Sequence, residues 1–145
     1  MSQTIGTLRA ADEGPRTFTS ATAICLSRYV QFSGRAPRSE YWYFVLFTVI
    51  ISVIANIIDV IVFGIGYSIL SPIANLALLL PGLAAWVRRL HDTDRSGWWW
   101  LLALVPIVGW IILLVWNCSR GTRGPNRYGP DPLGAPTSSR AAAVA

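Results

Sequence analysis

Three long apolar runs constrain this chain more than any other feature. They cover residues 41–63, 67–87 and 98–116, with short polar connections between them. A helix rising 1.5 Å per residue needs about 20 residues to cross ~30 Å of hydrocarbon, and each run has roughly that length. Charged residues make up 13% of the 145 positions, against about 25% in a soluble domain. Backbone inside lipid must satisfy its own hydrogen bonds, and uninterrupted runs of this length do so as helices. The expected fold class is therefore an all-α integral membrane protein with three transmembrane helices, preceded by a short interfacial amphipathic helix. Residues 1–17 read as a flexible N-terminal tail, 18–132 as a single membrane domain, and 133–145 as a disordered C-terminal tail.

The segment 18–33 places Phe18, Ala21, Cys25, Tyr29 and Phe32 on one helical face. It is too short and polar to span. It suits a helix in the headgroup plane, or equally one packed on the rest of the protein. Gly34 is the expected stop. In GRAPRSEYWYF, Ser39 can cap the next helix and Glu40 lies in its first turn, where the helix dipole favours an acid. Tyr41, Trp42 and Tyr43 form an interfacial belt. FGIGY, residues 63–67, makes a tight turn. Pro72 and Pro81 are expected to kink the second span.

All twelve basic residues are arginine, and the net charge is +5. They flank the apolar runs, which favours anionic lipid as partner over nucleic acid. With three crossings, eight arginines precede the third span on one side and four follow it on the other. The positive-inside rule then puts the N-terminus and the second loop in the cytoplasm. The four arginines of the tail fit this badly. A hairpin over 98–116, bent at Pro106 and Gly109, would return the tail to the cytoplasm. The length of the run, ~28 Å as a helix, favours a single crossing. Cys25 and Cys118 then lie on opposite sides, and no disulfide is expected.

Six ionisable groups crowd into RRLHDTDRSGWWW, residues 88–100. General membrane rules account for it: arginines on the inner face, a turn capped by Ser96, and a belt of tryptophans. Arg88 and Asp92, four apart, can pair. A functional reading adds that guanidinium groups match phosphate oxygens bidentately. Arg35, Arg38, Arg88, Arg89, His91 and Arg95 are accordingly candidates for binding an anionic phospholipid headgroup or a membrane partner. His91 and Asp92 suggest a lipid-headgroup enzyme, but neighbours on a helix point about 100° apart and form no dyad by spacing. No residue set implies a metal or cofactor. An oligomeric small transporter is a further reading, weakened because no acid lies at mid-membrane. Asn56 and Asn75 suit hydrogen bonds to neighbouring helices, and a homo-oligomer is compatible with the sequence.

The blocks FSGRAPRSEYWYFVLF, PGLAAWVRRLHDTDRSGWWWLL and GTRGPNRYGPDP, in that order, resemble the bacterial inner-membrane family typified by YhaH, domain of unknown function 805. The likeness covers about residues 25–132. It implies a small polytopic protein of the bacterial cytoplasmic membrane, and no catalytic residue or cofactor. The motif positions are Gly34, Arg35, Arg38, Glu40, Trp42, Arg88, Arg89, His91, Asp92, Ser96, Gly97, Trp98, Asn126, Tyr128 and Gly129. Asp94 departs from the small or neutral residue expected there and lowers the local positive charge.

Overall fold

The computed structural model describes residues 17–133. The tails expected over 1–17 and 133–145 lie, apart from Thr17 and Leu133, outside the described residues. Among the described residues, five helical elements follow one another: α1 (Phe18–Ser27), α2 (Arg38–Phe63), α3 (Leu70–Asp92), a 3₁₀ helix (Gly97–Leu104) and α4 (Val108–Cys118).

The helices α2 and α3 form an antiparallel pair, and both are long and apolar enough to cross a bilayer. Only 11% of the most apolar stretch of α2 and 28% of that of α3 is buried, so neither is the core helix of a soluble protein. Their connection turns on Gly64 and Gly66, at φ +84° and +100°, a region that side chains disfavour. Asp59 closes this end. Its carboxylate accepts the N–H groups of Ile69 (3.2 Å), Leu70 (2.8 Å) and Ser71 (2.7 Å). These are orphan donors at the start of α3, so Asp59 caps a helix other than its own.

The second span begins at Leu70 rather than 67, which puts Pro72 in the first turn, where a helix needs no N–H. Pro81 is interior and leaves the Ala77 carbonyl without its helical donor. The Tyr29 hydroxyl donates to that carbonyl. The helix expected over 18–33 is shorter and ends at Ser27, well before the stop expected at Gly34. Thr17 caps it, with Ser20 reciprocating. Its Ala21 and Cys25 are buried, and Cys25 lies in a core with Phe44 and Ala85. Tyr29 and Phe32, expected on the same face, are exposed beyond its end.

The third span requires correction: residues 98–116 are not one helix. Pro106 has no N–H and pushes Val105 into an extended conformation. Ile107 then sits at φ +65°, and Val108 N–H closes a three-residue turn onto the Pro106 carbonyl at 2.8 Å. The two arms run back along each other. At ~2.0 Å per residue the 3₁₀ arm is about 16 Å long, and at ~1.5 Å per residue α4 matches it. Trp99 and Trp116, expected at opposite interfaces, meet edge to face at 5.7 Å. The tail therefore returns to the end of the α2–α3 pair that carries Arg35 and Arg88. Cys25 and Cys118, both free, lie at this same end.

The arms touch where Gly109 faces the Leu102 carbonyl; a Cβ on Gly109 would stand 1.9 Å from that oxygen. This predicts a sign. In one continuous helix, Gly109→Ala would stabilise by about 1 kcal/mol. In the hairpin it forces the arms apart and costs about 1–3 kcal/mol. Thermal unfolding of the variant in detergent should show a lower Tm.

Candidate functional site

The polar cluster at the arginine end is built by the α1–α2 loop, the last turn of α3 and the tail. Asp92 sits at its centre. Arg35 Nε donates to Asp92 Oδ1 at 3.0 Å, and Arg89 Nη1 donates to Asp92 Oδ2. The remaining donors of both arginines go to backbone carbonyls. Arg35 reaches Gly124 at 2.7 Å and Thr122 at 2.5 Å. Arg89 reaches Asn117 at 3.1 Å, Ala36 at 3.4 Å and also Ser119. Thr122 N–H donates to the Asp92 carbonyl at 2.8 Å. Gly121 makes this approach possible, because a Cβ there would stand 2.0 Å from Asp92 Oδ2.

A second buried pair lies beneath it. Arg88 Nη1 donates to Glu40 Oε1 at 2.8 Å, its Nη2 to Cys25 Sγ at 3.7 Å, and its Nε to the Ala84 carbonyl at 3.3 Å. Both charges are wholly buried. Arg88 thus pairs with Glu40, not with Asp92 as the four-residue spacing suggests. Burial, and next the Glu40 carboxylate, push the Cys25 thiol up to about 12, with Arg88 pulling the other way.

His91 stacks flat on Tyr128, with ring centroids 3.9 Å apart, and its Nδ1 faces the Gly34 carbonyl at 3.2 Å. Asn126 Nδ2 donates to the His91 carbonyl at 2.9 Å. Asn126 and Gly129 also bond to each other through their backbones, and Gly129 has φ +138°. Ser96 caps the 3₁₀ helix, its hydroxyl accepting from Trp98 N–H at 3.4 Å. Gly97 lies close against Val87, and Trp98 is exposed. Arg95 lies over the Trp116 ring at 4.4 Å. Trp42 is exposed near Arg38 and Ser39.

The six candidate binding residues therefore do not form one cradle. Arg35, Arg88 and Arg89 are buried and turned inward. His91 and Arg95 are each stacked on an aromatic ring. Arg38 alone keeps a solvent-facing guanidinium, donating once to the Cys118 carbonyl at 3.2 Å. It lines a cavity of about 410 Å³ with Ser39, Arg120, Thr122, Arg123 and Asp131. The sequence reading missed Arg120 and Arg123, and the signal was the poor fit of a basic tail to the outer side. Desolvation pushes Asp131 up, but the N–H groups of Leu133 and Gly124 outweigh it and hold the carboxyl below its usual range. His91 and Asp92 point to different partners and make no pair.

The family described as "Protein of unknown function (DUF805)" matches residues 29–130. The chain belongs to this family. It is 54% identical over 107 residues to "Inner membrane protein YhaI" of Escherichia coli K12, covering 74% of this chain and 90% of that protein. To "Inner membrane protein YhaH" of the same strain it is 48% identical over 111 residues, covering 74% and 91%. No solved structure matches. With its two long lipid-suited helices, the chain is an inner-membrane protein. The matched residues include every arginine buried among the described residues and both of their carboxylates.

Two outcomes follow from the burial. Arg88→Met takes the guanidinium away from the buried Glu40 carboxylate and should cost about 3–5 kcal/mol, most of it recovered when Glu40→Leu is added. Chemical denaturation of the single and double variants measures this. Maleimide at pH 8 should modify exposed Cys118 and leave Cys25 intact, because Cys25 is buried and its thiol is pushed up to about 12. Cys118→Ser should abolish labelling of the folded protein.

Proposed function

We propose that this protein binds anionic phospholipid headgroups at the cytoplasmic face of the inner membrane without transforming them. The observation that carries this reading is the cavity ringed by Arg38, Arg120 and Arg123. All three side chains are exposed, and among the described residues none is engaged in an ion pair. Three guanidinium groups face one ionised carboxylate, Asp131, because Asp92 is already neutralised by Arg35 and Arg89. A net positive cavity of this size accepts a phosphate diester, and arginine binds one bidentately. The cavity also opens at the start of α2, where Pro37 supplies no side-chain cap and backbone N–H groups favour an anion.

The same reading includes a topology. α2 and α3 cross, and the hairpin of the 3₁₀ helix and α4 enters from the cytoplasmic side. Its ~16 Å arms reach about half-way through ~30 Å of hydrocarbon. The hairpin satisfies much of its own backbone: Trp110 Nε1 donates to the Ala103 carbonyl at 2.9 Å. Both the α1–α2 loop and the tail then face the cytoplasm. Arginines accompany every cytoplasmic segment, and the α2–α3 connection outside has none.

Purification in mild detergent should recover phosphatidylglycerol with the wild-type chain. Arg38→Ala, Arg120→Ala and Arg123→Ala together should lower that lipid several-fold at low salt, with little loss of stability. Equal phosphatidylglycerol in both preparations would reject the headgroup site. Single cysteines placed at residues 94 and 126 should react from the same side of the membrane; opposite sides would reject the topology.

A further inference from the structure

Most polar side chains within the two long helices have a visible task. Asp59 caps α3, and the Ser52 hydroxyl donates to Asn75 Oδ1 at 2.6 Å. Asn56 is different. It lies 14 residues beyond Trp42, about 21 Å along the helix. That depth is inside a ~30 Å hydrocarbon layer that begins at the aromatic belt. Its side chain is exposed and makes no hydrogen bond among the described residues. An amide facing lipid carries two donors and an acceptor with no water to satisfy them, an arrangement that costs several kcal/mol in hydrocarbon. A partner from outside the chain removes that cost.

The neighbours of Asn56 show where the partner lies. Leu46, Val49, Val53, Asn56, Val60 and Phe63 follow one another at alternating spacings of three and four residues, and all are exposed. This is the seam of a left-handed helix pair. It lies away from the face of α2 that buries Phe44, Ala55 and Asp59 within the chain. A polar residue within such a seam fixes one register for the pairing helices, because out of register its amide stays unsatisfied.

We propose that a second copy of this chain covers the seam, in a parallel dimer along α2 in which the two Asn56 amides hydrogen-bond to each other. Copies inserted the same way are related by a two-fold axis along the membrane normal, which sets each residue opposite itself at equal depth. The amide suits that symmetry, because its N–H donates to the partner copy's carbonyl oxygen and its own carbonyl accepts in return. The dimer is independent of the headgroup site, which lies at the arginine end and uses none of these residues.

The test uses the full chain in phosphatidylethanolamine–phosphatidylglycerol vesicles. Subunit counting by photobleaching at low protein-to-lipid ratio should give two copies. Asn56→Leu should weaken the dimer about tenfold, from the loss of two interhelical hydrogen bonds at ~0.6–1 kcal/mol each. In a Cys118→Ser background, Val53→Cys and Val60→Cys should crosslink between copies. Ile54→Cys and Ile61→Cys, at similar depth but off the seam, should not. A wild-type monomer would overturn the proposal, as would unchanged association of Asn56→Leu. Crosslinking through 54 and 61 in place of 53 and 60 would overturn it too. None of these substitutions touches the buried clusters, so loss of fold does not enter the comparison.

Discussion

The arginine end of the molecule depends on one carboxylate. Asp92 takes Arg35 on one oxygen and Arg89 on the other, and it is almost wholly buried while doing so. A charge removed from water to that extent is tolerable only when paired and fully hydrogen-bonded. The two guanidinium groups need partners in turn, and they find them on carbonyls at Ala36, Asn117, Ser119, Thr122 and Gly124. The loop before α2 and the chain after α4 are therefore tied to the end of α3. This geometry brings residues 119–129 back beside Arg35, and a hairpin in the third apolar run is the consequence.

Apolar surroundings explain the other polar contacts in the same way. At three places where the chain breaks regular helix, a side chain replaces the missing partner. Pro81 releases the Ala77 carbonyl and Tyr29 takes it. The start of α3 exposes three N–H groups and Asp59 takes all three. The broken third run frees the Ala103 carbonyl and Trp110 takes it. Water would do this work in a soluble protein at little cost; in lipid the chain supplies it.

A division of labour among the arginines follows. Arg35, Arg88 and Arg89 act inside the fold, each surrounded by acceptors. Arg38, Arg120 and Arg123 stay at the surface around an open cavity. A cluster of arginines near a membrane face therefore mixes two roles that residue type alone does not separate. Burial separates them, since a guanidinium with its donors already occupied has little to offer a ligand.

The sequence by itself determined the all-helical membrane architecture, the two long helices, the glycine turn at 64–66 and the Ser96 cap. Each follows from length, local polarity or backbone geometry within a few residues. The family resemblance added Asn126 and Tyr128 as motif positions. Only the tertiary structure decided whom Arg88 pairs with, what Asp59 is for, and that residues 98–116 turn back. Local signals for a break at Pro106 and Gly109 were present, but length favoured a crossing. The deciding energy came from partners 28 to 94 residues away in sequence. Buried charges must be matched across the whole fold, and periodicity along one segment carries no record of that matching.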